Sequence, residues 1–349
     1  MKTINQPNSR NSLPFLTFFM LAFLLMNVSC STSESDLNSE DFLQADAKTS
    51  VTGEPELFLS GFMGASGSAI GPGGDLFVTE GATGEISRID LKTGEVSTFA
   101  SGLPQSVIGI GGVNDLVFLG ETAYAIVTLV GPQFGTSDVV GIYRIDGPDS
   151  FTIIADLGEY ALANPPETDF FVEMGVHYSI EVFRGGFLVA DGHHNRVLYI
   201  TKHGEISTLK EFGNIVPTGL EVSGDDIYMA EAGPVPHEPE DGKIVRFSPS
   251  SEVIQLAEGA RLMVDVEFGR GRTLFALSQG IWDGVMEGSP AEPDTGSLLI
   301  VNEDGTLSPV AENLDRPTSM EIVQNRAYIV SLAGEIWTID NIASQPFGK

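Results

Sequence analysis

The chain has 349 residues, one cysteine, and 48 acidic against 18 basic side chains, a formal charge of −30. A single cysteine excludes an intrachain disulfide, so the fold must rest on its core. The negative field excludes nucleic acid as a partner, since no basic patch could outweigh it.

Residues 1–29 read as a lipoprotein signal peptide. Lys2 and Arg10 precede an apolar stretch, Leu13 to Met26, that is short of the roughly 20 residues of a membrane span, and polar Asn27-Val28-Ser29 follows it. Cys30 then stands at a lipobox position behind Ser29, with Asn27 where a lipobox has Leu, and is the expected lipidation site. Residues 30–53 are polar and acidic, too poor in apolar side chains to fold, and read as a disordered tether. Their Ser- and acid-rich start resembles the surface-export signal of Bacteroidetes-type lipoproteins. The expected place is the bacterial outer membrane, on its periplasmic or outer side, with the lipid anchor as the membrane contact and a monomeric chain. Setting Lys2 and Arg10 aside leaves a mature charge of −32.

From residue 54 to 343 one pattern recurs, with 344–349 left as a tail. A strand triplet appears six times: Leu76-Phe77-Val78, Ala123-Tyr124-Ala125, Phe187-Leu188-Val189, Ile227-Tyr228-Met229, Leu274-Phe275-Ala276 and Ala327-Tyr328-Ile329. The spacing of the middle residues, 47, 64, 40, 47 and 53, fits blades of four strands with insertions in the longer units. Each triplet is followed by a further strand, from Glu85-Ile86-Ser87-Arg88-Ile89 in the first unit to Glu335-Ile336-Trp337-Thr338-Ile339 in the last. No helical periodicity of useful length follows Cys30. The sixth unit lacks a fourth strand, and Glu56 to Gly61 has the composition of one. The expected fold is therefore all-β, a six-bladed β-propeller whose N-terminal strand closes the last blade and removes the open edge.

Connections between first and second strands and between third and fourth are short, as in Pro72-Gly73-Gly74 and Lys92-Thr93-Gly94. Those on the opposite face are long: Gly131 to Val140, Gly158 to Gly175, Gly233 to Gly242 and Gln279 to Gly296. Long loops on one rim of a rigid scaffold mark the expected binding face. At the starts of the innermost strands stand Asn114, Asp115, His177, Thr218, Asp265 and Thr318. Oxygens of Asn114, Asp115 and Asp265 could share a Ca²⁺ ion near the axis, or cap strand ends and hold channel water. Farther out are Glu173, Asp191, His193, His194, Glu231 and His237; together with His177 and Thr218, all but Glu173 are ligand-binding candidates. Neither zinc spacing nor a nucleophile elbow accompanies them.

The chain resembles the ScyD/ScyE family of six-bladed propellers, itself akin to gluconolactonase and NHL propellers. The likeness runs from about Glu56 to Asp340 and is carried by Ala155-Asp156-Leu157-Gly158-Glu159-Tyr160, Val189-Ala190-Asp191 with Asn195, Val216-Pro217-Thr218-Gly219-Leu220, Val264-Asp265-Val266-Glu267-Phe268 and Pro317-Thr318. Val176-His177-Tyr178 departs from the family's usual Asn-Pro-Tyr, and Gly192-His193-His194 replaces small residues. The resemblance implies the fold and leaves the activity open. Two functions stay in play: an envelope-anchored propeller binding a small molecule, glycan or protein at the long-loop face, and a calcium-dependent hydrolase, lyase or oxidative-coupling enzyme at the channel.

Overall fold

The computed structural model describes residues 53–238, 240–282, 284–285 and 288–343. The signal segment, Cys30, almost all of the tether and the tail 344–349 lie outside these residues. Six antiparallel four-stranded sheets surround one axis, and each inner strand touches the inner strands on both sides, blade 6 against blade 1 included. Five blades use consecutive strands. The sixth pairs Pro317–Val323, Arg326–Ser331 and Glu335–Asp340 with Glu56–Ser60 on its outer edge. Glu56 faces Thr338 and Ser60 faces Glu335 in that register, so the expected closure is the observed one.

The second strands, such as Leu76–Glu80, Gly186–Asp191 and Leu274–Ser278, are buried throughout. A neighbouring blade covers each of their faces, which is why they read as near-continuous apolar runs. The centre of the repeated triplet, aromatic in every blade but the third, is the wedge between blades. Phe77 meets Phe118 of blade 2 at 4.8 Å between centroids, and Tyr228 meets Phe268 of blade 5 at the same distance.

Leu157–Ala163, between blades 2 and 3, is a short α-helix. Seven residues are too few for a 3.6-residue period to show in the sequence. The helix is set instead by its cap, Asp156 Oδ1 accepting from the Glu159 amide at 2.7 Å, and by burial of Leu157 and Ala161.

Every inner strand carries a β-bulge behind its first residue, or in blade 2 behind its second, Val113. In each, two residues oppose one on the second strand, and the extra residue is turned out of the ladder. These six bulges build the site.

Candidate functional site, an axial funnel above an acidic bore

Aligned on their bulges, the inner strands form three rings. The bulged residues themselves are Ser66, Asn114, Tyr178, Thr218, Val264 and Thr318, one from each blade. All six line a funnel of about 330 Å³ that opens on the long-loop face. Its upper wall adds apolar Leu129, Val176, Val216, Leu262, Pro290 and Leu332, with Gln279, His237 and Arg316 as polar points. Val216 holds a left-handed backbone, φ 50°, that a β-branched residue rarely adopts. It is pinned there by Asn195, whose Oδ1 accepts from the amides of Ile215 and Val216 at 2.9 and 3.0 Å.

The second ring lies one residue on: Gly67, Asp115, Ser179, Gly219, Asp265 and Ser319, the triplet Gly-Asp-Ser twice round the axis. Its members tie each blade to the next. Asp115 Oδ2 accepts from the Ile180 amide at 2.9 Å, and on the opposite side Asp265 Oδ2 accepts from the Met320 amide at 2.8 Å. Ser179 donates to the Thr218 carbonyl at 2.5 Å, and Ser319 shares a hydrogen bond with Ser68 at 2.8 Å. The glycines are required by the neighbouring aspartates. A Cβ on Gly67 would sit 2.5 Å from the Asp115 Cα, and one on Gly219 would sit 2.5 Å from the Asp265 Cα.

Two residues farther down come Ala69, Val117, Glu181, Glu221, Glu267 and Glu321. The four glutamates and two aspartates face the axis; Asp115 is buried and the other five are partly accessible. Burial raises every one of them, and mutual repulsion adds to it in most. Asp115 is pushed up to about 8, Asp265 and Glu181 to about 7, and Glu221 to about 8. Glu267 and Glu321 rise well above the ordinary carboxylate range.

Calcium fits the three donors expected for it poorly. Asp265 spends both oxygens on backbone amides, Val266 and Met320, and Asp115 gives Oδ2 to Ile180. The Asn114 Nδ2 donates to the His177 and Tyr178 carbonyls, at 3.1 and 3.0 Å, as a clamp between blades 2 and 3. Among the described residues no group of three or more His, Asp or Glu side chains is arranged to hold a metal ion.

The other sequence candidates divide by depth. Thr218, Thr318 and His237 line the funnel. Thr218 Oγ1 is engaged with the Ala230 and Met263 carbonyls at 3.0 and 2.8 Å. His177, Asp191 and His194 are almost wholly buried behind the wall with Arg196 and are out of a ligand's reach. Asp191 Oδ2 accepts from Arg196 Nε at 2.8 Å, and Arg196 Nη1 donates to the Asn164 carbonyl at 2.6 Å. His194 Nε2 lies 2.9 Å from the Val172 carbonyl and donates to it. Burial alone would raise Asp191, but His177, His194 and Arg196 outweigh it and hold the carboxyl at about 2. His177 is pushed down to about 4 by burial, so at neutral pH Arg196, rather than His177, is a lasting counter-charge. His177 Nε2 stands 3.8 Å from Asp191 Oδ1, too far for a hydrogen bond.

His193 and His194 both sit in the turn 192–195, and their side chains part, His194 toward Val172 and His193 toward Tyr178. The His193 Nε2 meets the Tyr178 hydroxyl at 3.0 Å, which brings it to the back of the funnel wall. Glu231 ends the second strand of blade 4 at the position Glu80 holds in blade 1. Glu80 accepts from the Met63 amide and the Ser87 hydroxyl there, a structural use of an acid. Burial raises Glu231 to about 7. Glu173 is exposed. Sequence reasoning missed Tyr178, Arg196 and the four glutamates as site residues. The glutamates had a signal: each lies three residues after the bulged position of its inner strand.

The architecture defines the chain as a six-bladed β-propeller. No protein-family model and no curated protein matches it. Solved structures share the fold at low identity. A gluconolactonase from Xanthomonas campestris is 12% identical over 82% of this chain and 89% of its own, with a TM-score of 0.58. The PQQ-bound aldose sugar dehydrogenase from Streptomyces coelicolor is 13% identical over 83% and 98%, TM-score 0.55. Virginiamycin B lyase from Staphylococcus aureus is 13% identical over 82% and 98%, TM-score 0.53.

Proposed function

We propose that this chain is a propeller of the ScyD/ScyE type, anchored to the cell envelope through Cys30, that binds a small organic molecule in its axial funnel. The bulge ring carries the reading. Six strands each insert one extra residue, and all six inserted side chains meet at one cavity whose volume falls in the range of small-molecule pockets, about 300–1,000 Å³. A mixed wall of aliphatic side chains, a few uncharged polar groups and one paired guanidinium, Arg316, suits such a ligand better than it suits a flat protein or glycan surface. The anchor is compatible with this. Ser60 lies beside Glu335, next to the funnel residue Leu332, whereas Glu56 lies toward the other face. The chain therefore enters the propeller from the side opposite the mouth.

Two measurements test the proposal. Membrane fractionation should find the wild type with membranes and Cys30→Ser in the soluble fraction; a soluble wild type removes the anchor. Neutral aromatic fragments, screened by NMR, should shift the amides of Asn114, Tyr178 and Thr218 and lose binding in Ala82→Trp, where an indole at an exposed rim position fills the mouth. Fragments that perturb only outer strands would sink the funnel reading.

A further inference from the structure

The wall of the funnel restricts what it can hold. Among the described residues it contains no Asp, Glu or Lys, although 48 of the chain's 349 residues are acidic. An even spread would have put about three there. Its one guanidinium, Arg316, is already bridged by Asp315, Nε to Oδ1 at 2.6 Å and Nη2 to Oδ2 at 3.2 Å. Its one imidazole, His237, packs edge-on against Trp282 at 5.6 Å, and burial favours its neutral form.

Six carboxyls wait directly below, and above about pH 8 Asp115, Asp265, Glu181 and Glu221 carry negative charge. Asp115 and Asp265 follow the funnel residues Asn114 and Val264 in the chain, and the four glutamates stand one ring deeper. An anion lowered into the funnel would meet this bore with no unpaired cation beside it, whereas a cation or a neutral molecule would not be opposed. Around the mouth, exposed apolar side chains gather on the loops of the same face: Met63, Val107, Ile108, Phe170, Phe171 and Val285. They extend the apolar wall outward and favour a ligand body that is itself apolar.

We propose that the funnel accepts an uncharged or cationic organic molecule with an apolar body and turns anions away. The inference rests on the funnel being the ligand site. Three probes with one ring system separate the two ideas: 2-naphthylmethanol, 2-naphthylmethylammonium and 2-naphthoate, titrated calorimetrically into the full mature protein at pH 8.5 and low salt. The alcohol and the ammonium should bind at least tenfold tighter than the carboxylate, and Ala82→Trp should abolish binding of both. Ala82→Lys, which sets an unpaired cation at the rim, should bring naphthoate to within about threefold of the alcohol. If naphthoate binds as tightly as the alcohol and Ala82→Trp removes both, charge selection is overturned while the funnel stands. If no probe binds, or binding survives Ala82→Trp, the funnel reading falls and this inference with it.

Discussion

Arg196 is the largest fully buried side chain among the described residues, and its charge is answered by one carboxylate, Asp191. Removing one partner of a buried pair leaves an uncompensated charge and costs about 3–5 kcal/mol, more than the pair itself contributes. Asp191→Ala should therefore lower the melting temperature by roughly 6–20 °C, at about 2–4 °C per kcal/mol for a domain of this size. The double change Asp191→Asn with Arg196→Met, which leaves no orphan charge, should lose clearly less. Equal losses in the two variants would show that packing, not charge, holds this corner. Asp191 could be picked out in the sequence as a carboxylate beside two histidines. Arg196 could not, because the first residue of a strand carries no mark of which way it points. The turn at 192–195 decides that, folding both side chains back onto the same buried spot.

At the scale of the element, the closing strand is the sharpest test of the ring. Phe58 and Leu59 are half-buried against Tyr328 and Ile336 in the last blade, with Phe58 edge-on to Tyr328 at 5.9 Å. Deleting the chain through Gly61 removes both, uncovers the Tyr328 and Ile336 surface they cover, and leaves the Glu335–Asp340 strand as a bare edge. Full burial of such side chains contributes about 1.5–3 kcal/mol each, so half-burial of two amounts to about 1.5–3 kcal/mol in all before the lost ladder is counted. Against a total stability of about 5–15 kcal/mol, the truncated protein should aggregate or melt far below the intact one. A truncation that keeps the wild-type melting point would mean that the ring closes without this strand. The six strand triplets and the missing fourth strand were legible because middle strands are apolar on both faces and the repeat is regular. The helix at Leu157–Ala163 was not, and neither were the bulges, which leave no compositional trace at single positions. Aligning the inner strands on Ser66, Asn114, Tyr178, Thr218, Val264 and Thr318 requires knowing where each ladder slips.

For the whole molecule the governing feature is the acidic bore, and it makes stability depend on pH in a definite sense. In the unfolded chain these carboxylates titrate near pH 4. In the fold, burial and mutual repulsion raise them, to about 7 or 8 where Asp115, Asp265, Glu181 and Glu221 are concerned. A carboxyl raised on folding favours the native state only while protonated. Its contribution is complete below about pH 4 and is lost as pH climbs to the folded value. Arg272, beside Glu221, opposes this only locally. The buried histidines act in the opposite sense: His177 and His193, pushed down to about 4, penalise the fold as pH falls below about 6.5. Between pH 6.5 and 9 the histidines are nearly silent and the carboxylates dominate. The melting temperature should thus fall by several degrees across that interval. Glu321→Gln and Glu267→Gln, which leave a neutral side chain in the same ring, should each raise the melting point at pH 8.5 and flatten the slope, with little change at pH 6.5. Melting curves of the three proteins at the two pH values decide the matter. A wild-type melting point that stays level or rises toward pH 9 would mean that the six carboxylates are ionised at no cost in the fold, and that a counter-charge sits among them.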